Sequence, residues 1–216
     1  MTRGRLTVPL TAALLAVTAA PPLPDVTAAR GQPAKQSAWL VRDLATGERL
    51  AGERPDRLSR PVPPGSFMKV PALLAALSAG TIGPETGIAC EREVTFDGHR
   101  IRCSHPRIRR PIRPAEALAL SCNVFFATMG RRLPRTRFDA VLRALGLPPS
   151  PPTAPMHLAS TGLDASPASA EQLLTGFLRV VSTPASARWT AQARSVVLEG
   201  LRGAAVYGTA GAFRPA

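Results

Sequence analysis

Pro63-Pro64-Gly65-Ser66-Phe67-Met68-Lys69-Val70-Pro71 places a hydroxyl three residues ahead of an amine. Residues three apart on a helix share a face, so the two side chains can touch. A serine becomes a competent nucleophile when a neighbouring base takes its proton. A neutral lysine can be that base once burial or a nearby cation lowers its pKa. Composition sharpens the point: of 27 Lys and Arg residues, only Lys35 and Lys69 are lysine. Arginine could not replace Lys69 in this role, because it does not deprotonate in proteins. The S-x-x-K pattern alone also arises by chance, so its weight depends on the rest of the chain.

Working outward, the spacing predicts an apolar helix from about Phe67 to Ala79, stopped by Gly80. Pro71 is tolerated only in the first turn, where the N–H groups have no helical partner. That puts Ser66 at the helix N-terminus, where the dipole favours developing negative charge. Upstream, Ser37–Asp43 and Glu48–Gly52 flank Ala45-Thr46-Gly47 and predict a β-hairpin. Downstream, residues 84–112 are irregular, with a short hairpin about Asp97-Gly98. Helices are expected over 114–120, 124–132, 138–145, 169–182 and 191–201, with a proline-rich loop at 148–155 and His157 in a loop. Ser121-Cys122-Asn123 interrupts the helical stretch after Leu120.

At 216 residues and 45 % hydrophobic content, the chain has the length and composition of one globular domain with a tail. Arg3 and Arg5 precede an apolar run, Leu6–Ala20, which is the pattern of a cleaved secretory signal, with an uncleaved anchor as the competing reading. Residues 21–36 read as a linker, and 37–216 as the domain. An exported chain, periplasmic or otherwise outside the cytoplasm, makes a Cys90–Cys103 disulfide plausible. Closing that loop would contribute about 3 kcal/mol. A metal site is not expected, since C-x12-C with scattered histidines (His99, His105) matches no standard zinc spacing, and Cys122 is left without a partner. The net charge of +13 is densest from Arg100 to Arg113. Export and an aromatic content of only 5 % argue against nucleic acid. A solvated arginine-rich loop is the simpler reading, and attraction to anionic lipid headgroups or wall polymers the functional one.

Several motifs in chain order resemble the transpeptidase domain of the penicillin-binding proteins, whose fold is shared with the serine β-lactamases. Ser66-Phe67-Met68-Lys69 matches S-x-x-K, and Ser121-Cys122-Asn123, within Glu116-Ala117-Leu118-Ala119-Leu120-Ser121-Cys122-Asn123-Val124-Phe125-Phe126, matches S-x-N. Asp43-Leu44-Ala45-Thr46-Gly47-Glu48 resembles the hairpin that opens such domains, and Ser166–Val181 the helix before the last motif. The resemblance spans about residues 37–213. It implies an α+β fold, a helical region with an antiparallel sheet, and no cofactor. It also implies roles: Ser66 the nucleophile toward a D-alanyl-D-alanine stem peptide or a β-lactam, Lys69 its base, Ser121 a proton relay. Asn123 would bind the substrate backbone and hold Lys69. The Ser66 N–H would be half of the oxyanion hole.

The third motif of the family, K-[ST]-G, is not found after Asn123. Val206-Tyr207-Gly208-Thr209-Ala210 can be read as a degenerate version, but Gly200-Leu201-Arg202 through Gly208-Thr209-Ala210 better resembles the segment preceding that motif. The sheet is therefore expected to be incomplete, lacking its C-terminal strands, through truncation or degeneration. Ser66 is expected to acylate slowly or not at all. Three functions compete: an acyl enzyme, a non-catalytic sensor or scaffold on the same fold, and a basic exported binding protein acting through Arg100–Arg113. Nothing in the sequence sets an oligomeric state, or separates transpeptidase from carboxypeptidase or lactamase.

Overall fold

The computed structural model describes residues 38–43 and 45–211; the expected signal (1–20) and linker (21–36) lie outside the described residues. The chain opens with an antiparallel hairpin, β1 (Trp39–Arg42) and β2 (Arg49–Glu53), in the register Trp39↔Glu53, Leu40↔Gly52 and Val41↔Ala51. Asp43 sets its turn: the carboxylate accepts from the N–H groups of Ala45 and Thr46, and Gly47 takes φ 73°. The hairpin leaves Trp39, Val41 and Leu50 exposed.

A short helix, α1 (Pro55–Leu58), and a two-residue strand, β3 (Pro61–Val62), lead to a 3-10 turn, Gly65–Met68, and then to α2 (Lys69–Ser78). The expected helix is thus present, with its first turn wound more tightly. Pro71 is the third residue of α2, where its missing N–H costs no hydrogen bond. Ala72, Leu73, Leu74 and Ala76 are fully buried, so α2 is apolar around most of its circumference and forms the centre of the core. It packs against α4 (Asn123–Gly130), α5 (Arg135–Leu145) and α8 (Ala191–Val206).

A second hairpin, β4 (Glu93–Phe96) and β5 (His99–Arg102), turns at Asp97-Gly98, both residues at positive φ as a two-residue turn of this twist requires. Helix α3 (Pro114–Ala119) has its proline at the first position and lies against α8. Contact there is close: a Cβ at Gly200 would fall 2.8 Å from the Ala115 carbonyl oxygen. The proline-rich stretch ends in a helix the periodicity did not reveal, α6 (Met156–Ala159), and His157, expected in a loop, is buried on it at 2 % exposure. A two-residue strand, β6 (Ala168–Ser169), pairs with β3 and runs into α7 (Ala170–Ser182). Ser169 and Gln172 close that helix with a reciprocal capping box.

The architecture is α+β, a helical body carrying three separate two-stranded antiparallel ladders among the described residues. The segment 206–210 is the end of α8 and a turn, in which Thr209 N–H donates to the Ala119 carbonyl. It is not a strand, so the degenerate K-T-G reading does not describe it. No helix among the described residues is long and apolar enough to cross a membrane.

Candidate active site

Ser66 stands in the 3-10 turn, and Lys69 is the first residue of α2. The turn begins at Gly65, with φ 55°. Its back is held by Gly162, at φ 82°, where a Cβ would lie 1.8 Å from the Gly65 carbonyl oxygen. Only glycine satisfies both the left-handed backbone and this approach. Nothing in the sequence around Gly162 signals that role; the contact joins residues almost a hundred positions apart.

Lys69 Nζ reaches Ser66 Oγ at 3.1 Å, Ser121 Oγ at 2.7 Å, the Ser121 carbonyl at 2.8 Å and Asn123 Oδ1 at 2.5 Å. Ser121 Oγ lies 3.0 Å from Ser66 Oγ, closing a triangle of two hydroxyls and an amine. An ammonium has three protons for these four acceptors, so one acceptor is always released. Loss of a proton gives the nitrogen a lone pair that can accept from the Ser66 hydroxyl instead. Lys69 is 1 % exposed. Burial pushes its pKa down to about 8, partly opposed by electrostatic interaction with the neighbouring Cys122 and Cys103.

Ser121 and Asn123 are delivered by the break between α3 and α4. Ser121 adopts φ 52°, a conformation that costs a non-glycine residue of order 1 kcal/mol. This bend turns both its hydroxyl and its carbonyl toward Lys69. Cys122 caps α4 by accepting from the Phe125 N–H, and Asn123 follows as the first helical residue. The Asn123 amide nitrogen donates to the Arg102 carbonyl at 2.7 Å, which fixes its oxygen toward Lys69. The end of β5 is therefore part of the site.

The cysteines differ from expectation. Cys90 and Cys103 are free thiols with Sγ atoms 3.7 Å apart, beyond the roughly 2.05 Å of a disulfide. Cys122, expected to stand alone, lies 3.4 Å from Cys90 and 3.7 Å from Cys103, and His105 Nε2 is 3.6 Å from Cys90. These four buried side chains are within reach of one metal ion, a grouping that the sequence spacing did not indicate. Spacing along the sequence hid them, because they come from three segments that meet only in the fold.

The basic stretch is less available than its composition suggests. Arg100 and Arg102 share Glu93, and Arg107, Arg110 and Arg113 pair with Glu91, Glu116 and Glu85. Five of its six arginines are thus in exposed ion pairs, which contribute little to stability but neutralise the surface charge.

The family model of the penicillin-binding protein transpeptidase domain matches residues 37–184. The chain therefore belongs to the penicillin-binding protein transpeptidase family. A solved peptidoglycan synthase complex, described for the structural coordination of polymerization and crosslinking, has a similar fold: TM-score 0.62 at 21 % identity, covering 79 % of this chain. The match takes in 42 % of that structure's chain, so this chain corresponds to less than half of it. No curated protein matches.

Proposed function

We propose that the chain is a serine acyl-transfer enzyme of the DD-transpeptidase type, acting on D-alanyl-D-alanine stem peptides of peptidoglycan outside the cytoplasm, and acylated by β-lactams at the same serine. The single supporting observation is the triangle of Ser66 Oγ, Lys69 Nζ and Ser121 Oγ around a buried amine of lowered pKa. Neutral Lys69 accepts the Ser66 proton as Oγ attacks the carbonyl between the two D-alanines. The tetrahedral intermediate collapses, the C–N bond breaks, and the departing D-alanine amine takes a proton from Lys69 through Ser121. An amine or water then attacks the acyl-enzyme and restores the Ser66 hydroxyl. Asn123 would bind the substrate backbone while its Oδ1 restrains Lys69.

The alternative is a non-catalytic sensor or scaffold on this fold. Exposure to a fluorescent penicillin separates the two. The enzyme reading expects covalent labelling that is abolished in Ser66→Ala. A chain that stays unlabelled at long exposure supports the scaffold.

A further inference from the structure

We propose that Cys90, Cys103, His105 and Cys122 form a tetrahedral zinc site that locks the turn carrying Ser121 and Asn123. Zinc–sulfur bonds of about 2.3 Å at tetrahedral angles put the sulfur atoms about 3.8 Å apart, and a zinc-bound imidazole nitrogen about 3.5 Å from each sulfur. The three Sγ–Sγ separations are 3.4, 3.7 and 3.7 Å, and His105 Nε2 lies 3.6 Å from Cys90 Sγ. All four donor atoms fall within 4.8 Å of one another. Three thiols packed only as apolar side chains would have no reason to turn their sulfurs to one point alongside an imidazole nitrogen.

The surroundings have the features of a ligand shell. His105 Nδ1 sits 2.8 Å from the Pro106 carbonyl, which fixes the proton on Nδ1 and leaves the Nε2 lone pair facing the sulfurs. Backbone N–H groups point at sulfur: Val124 to Cys103 at 3.3 Å and Phe125 to Cys122 at 3.4 Å. Such donors stabilise thiolate more than thiol. Arg92 holds the Cys103 carbonyl from outside at 3.1 Å. The cysteines are 0–6 % exposed and His105 7 %, so the site is closed, as structural zinc sites are, with no position left for a reacting water. Three soft sulfurs and one imidazole select zinc over calcium or magnesium. On binding, the three thiols release their protons to solvent and each sulfur donates a lone pair; no electron is transferred.

The placement gives the metal a task. Cys122 lies between Ser121 and Asn123, and Cys103 follows Arg102, whose carbonyl anchors Asn123. A metal joining Cys103 to Cys122 therefore clasps the hairpin end to the strained turn. The ligands act as positioning residues and touch no substrate. The inference stands apart from the acyl-transfer proposal, because it is read by metal content.

The test is elemental analysis of the full chain purified with zinc, followed by chelation and titration with cobalt(II). One zinc per chain is expected. Cobalt should give the visible bands of a tetrahedral ion with thiolate charge transfer, and bound metal should shield all three cysteines from a thiol reagent. His105→Ala and Cys90→Ser should weaken binding at least roughly tenfold, whereas Ser66→Ala should bind zinc unchanged. If those ligand variants do not fold, the cobalt spectrum of the unaltered chain still decides. A folded chain that takes up no stoichiometric zinc, that gives an octahedral cobalt spectrum, or that forms a Cys90–Cys103 disulfide in the presence of zinc would overturn the proposal.

Discussion

Lys69 is a cation held where a cation is poorly tolerated. With a pKa of about 8, about a tenth of the amine is neutral at pH 7, and that fraction grows as pH rises. With the neutral form as the proposed base, Ser66 acylation should accelerate with pH and level off above about 8. A rate flat from pH 6 to about 9 would remove Lys69 from the role. Lys69→Arg keeps a charge but no basic lone pair, and should lower the acylation rate by roughly 10²–10⁴-fold. An unchanged rate in that variant would have the same consequence. These residues were legible in the sequence because S-x-x-K and S-x-N are local patterns with a chemical reason for each letter. Their mutual distances were not, because the strained φ of Ser121 and the Arg102 carbonyl that orients Asn123 come from the fold.

At the scale of elements, two contacts set the position of Ser66. Gly162 backs the Gly65 turn, and the first buried residues of α2 hold the lysine end of the helix. Gly162→Ala should lower stability by at least about 2 kcal/mol, through a left-handed alanine and a clash with the backbone. Urea unfolding measures this, and a midpoint equal to the wild type would show that the close approach is not needed. Leu73→Ala empties a fully buried site and should cost about 2–5 kcal/mol by the same measurement. A loss under about 1 kcal/mol would mean the core collapses around the gap. Long helices and both hairpins were readable from periodicity and from turn residues such as Asp97-Gly98. Helix α6 was not, because four residues after a proline-rich run are too few to show a period. The β3–β6 pairing was hidden for a similar reason: two residues on each side carry no alternation.

For the molecule as a whole, stability should be uneven. The centre is α2 with α4, α5 and α8 around it, while the β1–β2 hairpin is a two-stranded ladder with exposed Trp39, Val41 and Leu50. Two strands alone are marginal in water. Native-state hydrogen exchange should therefore find the α2 amides the slowest and those of β1 and β2 among the fastest. Equal protection would show that the hairpin is supported as well as the core. The cysteine and histidine cluster belongs to this scale too. Cys90, Cys103–His105 and Cys122 come together only when the loop after α2, the second hairpin and the α3–α4 break are assembled, which no spacing rule along the chain reports.

The proposed acyl transfer requires that Ser66 be the residue acylated, with Lys69 as its base. The direct measurement is prolonged incubation of the chain with a fluorescent penicillin, followed by peptide mass mapping, beside Ser66→Ala and Lys69→Arg. One adduct on the Ser66 peptide is expected, absent in Ser66→Ala and strongly reduced in Lys69→Arg. An adduct on another residue, or labelling undiminished in Ser66→Ala, would contradict it.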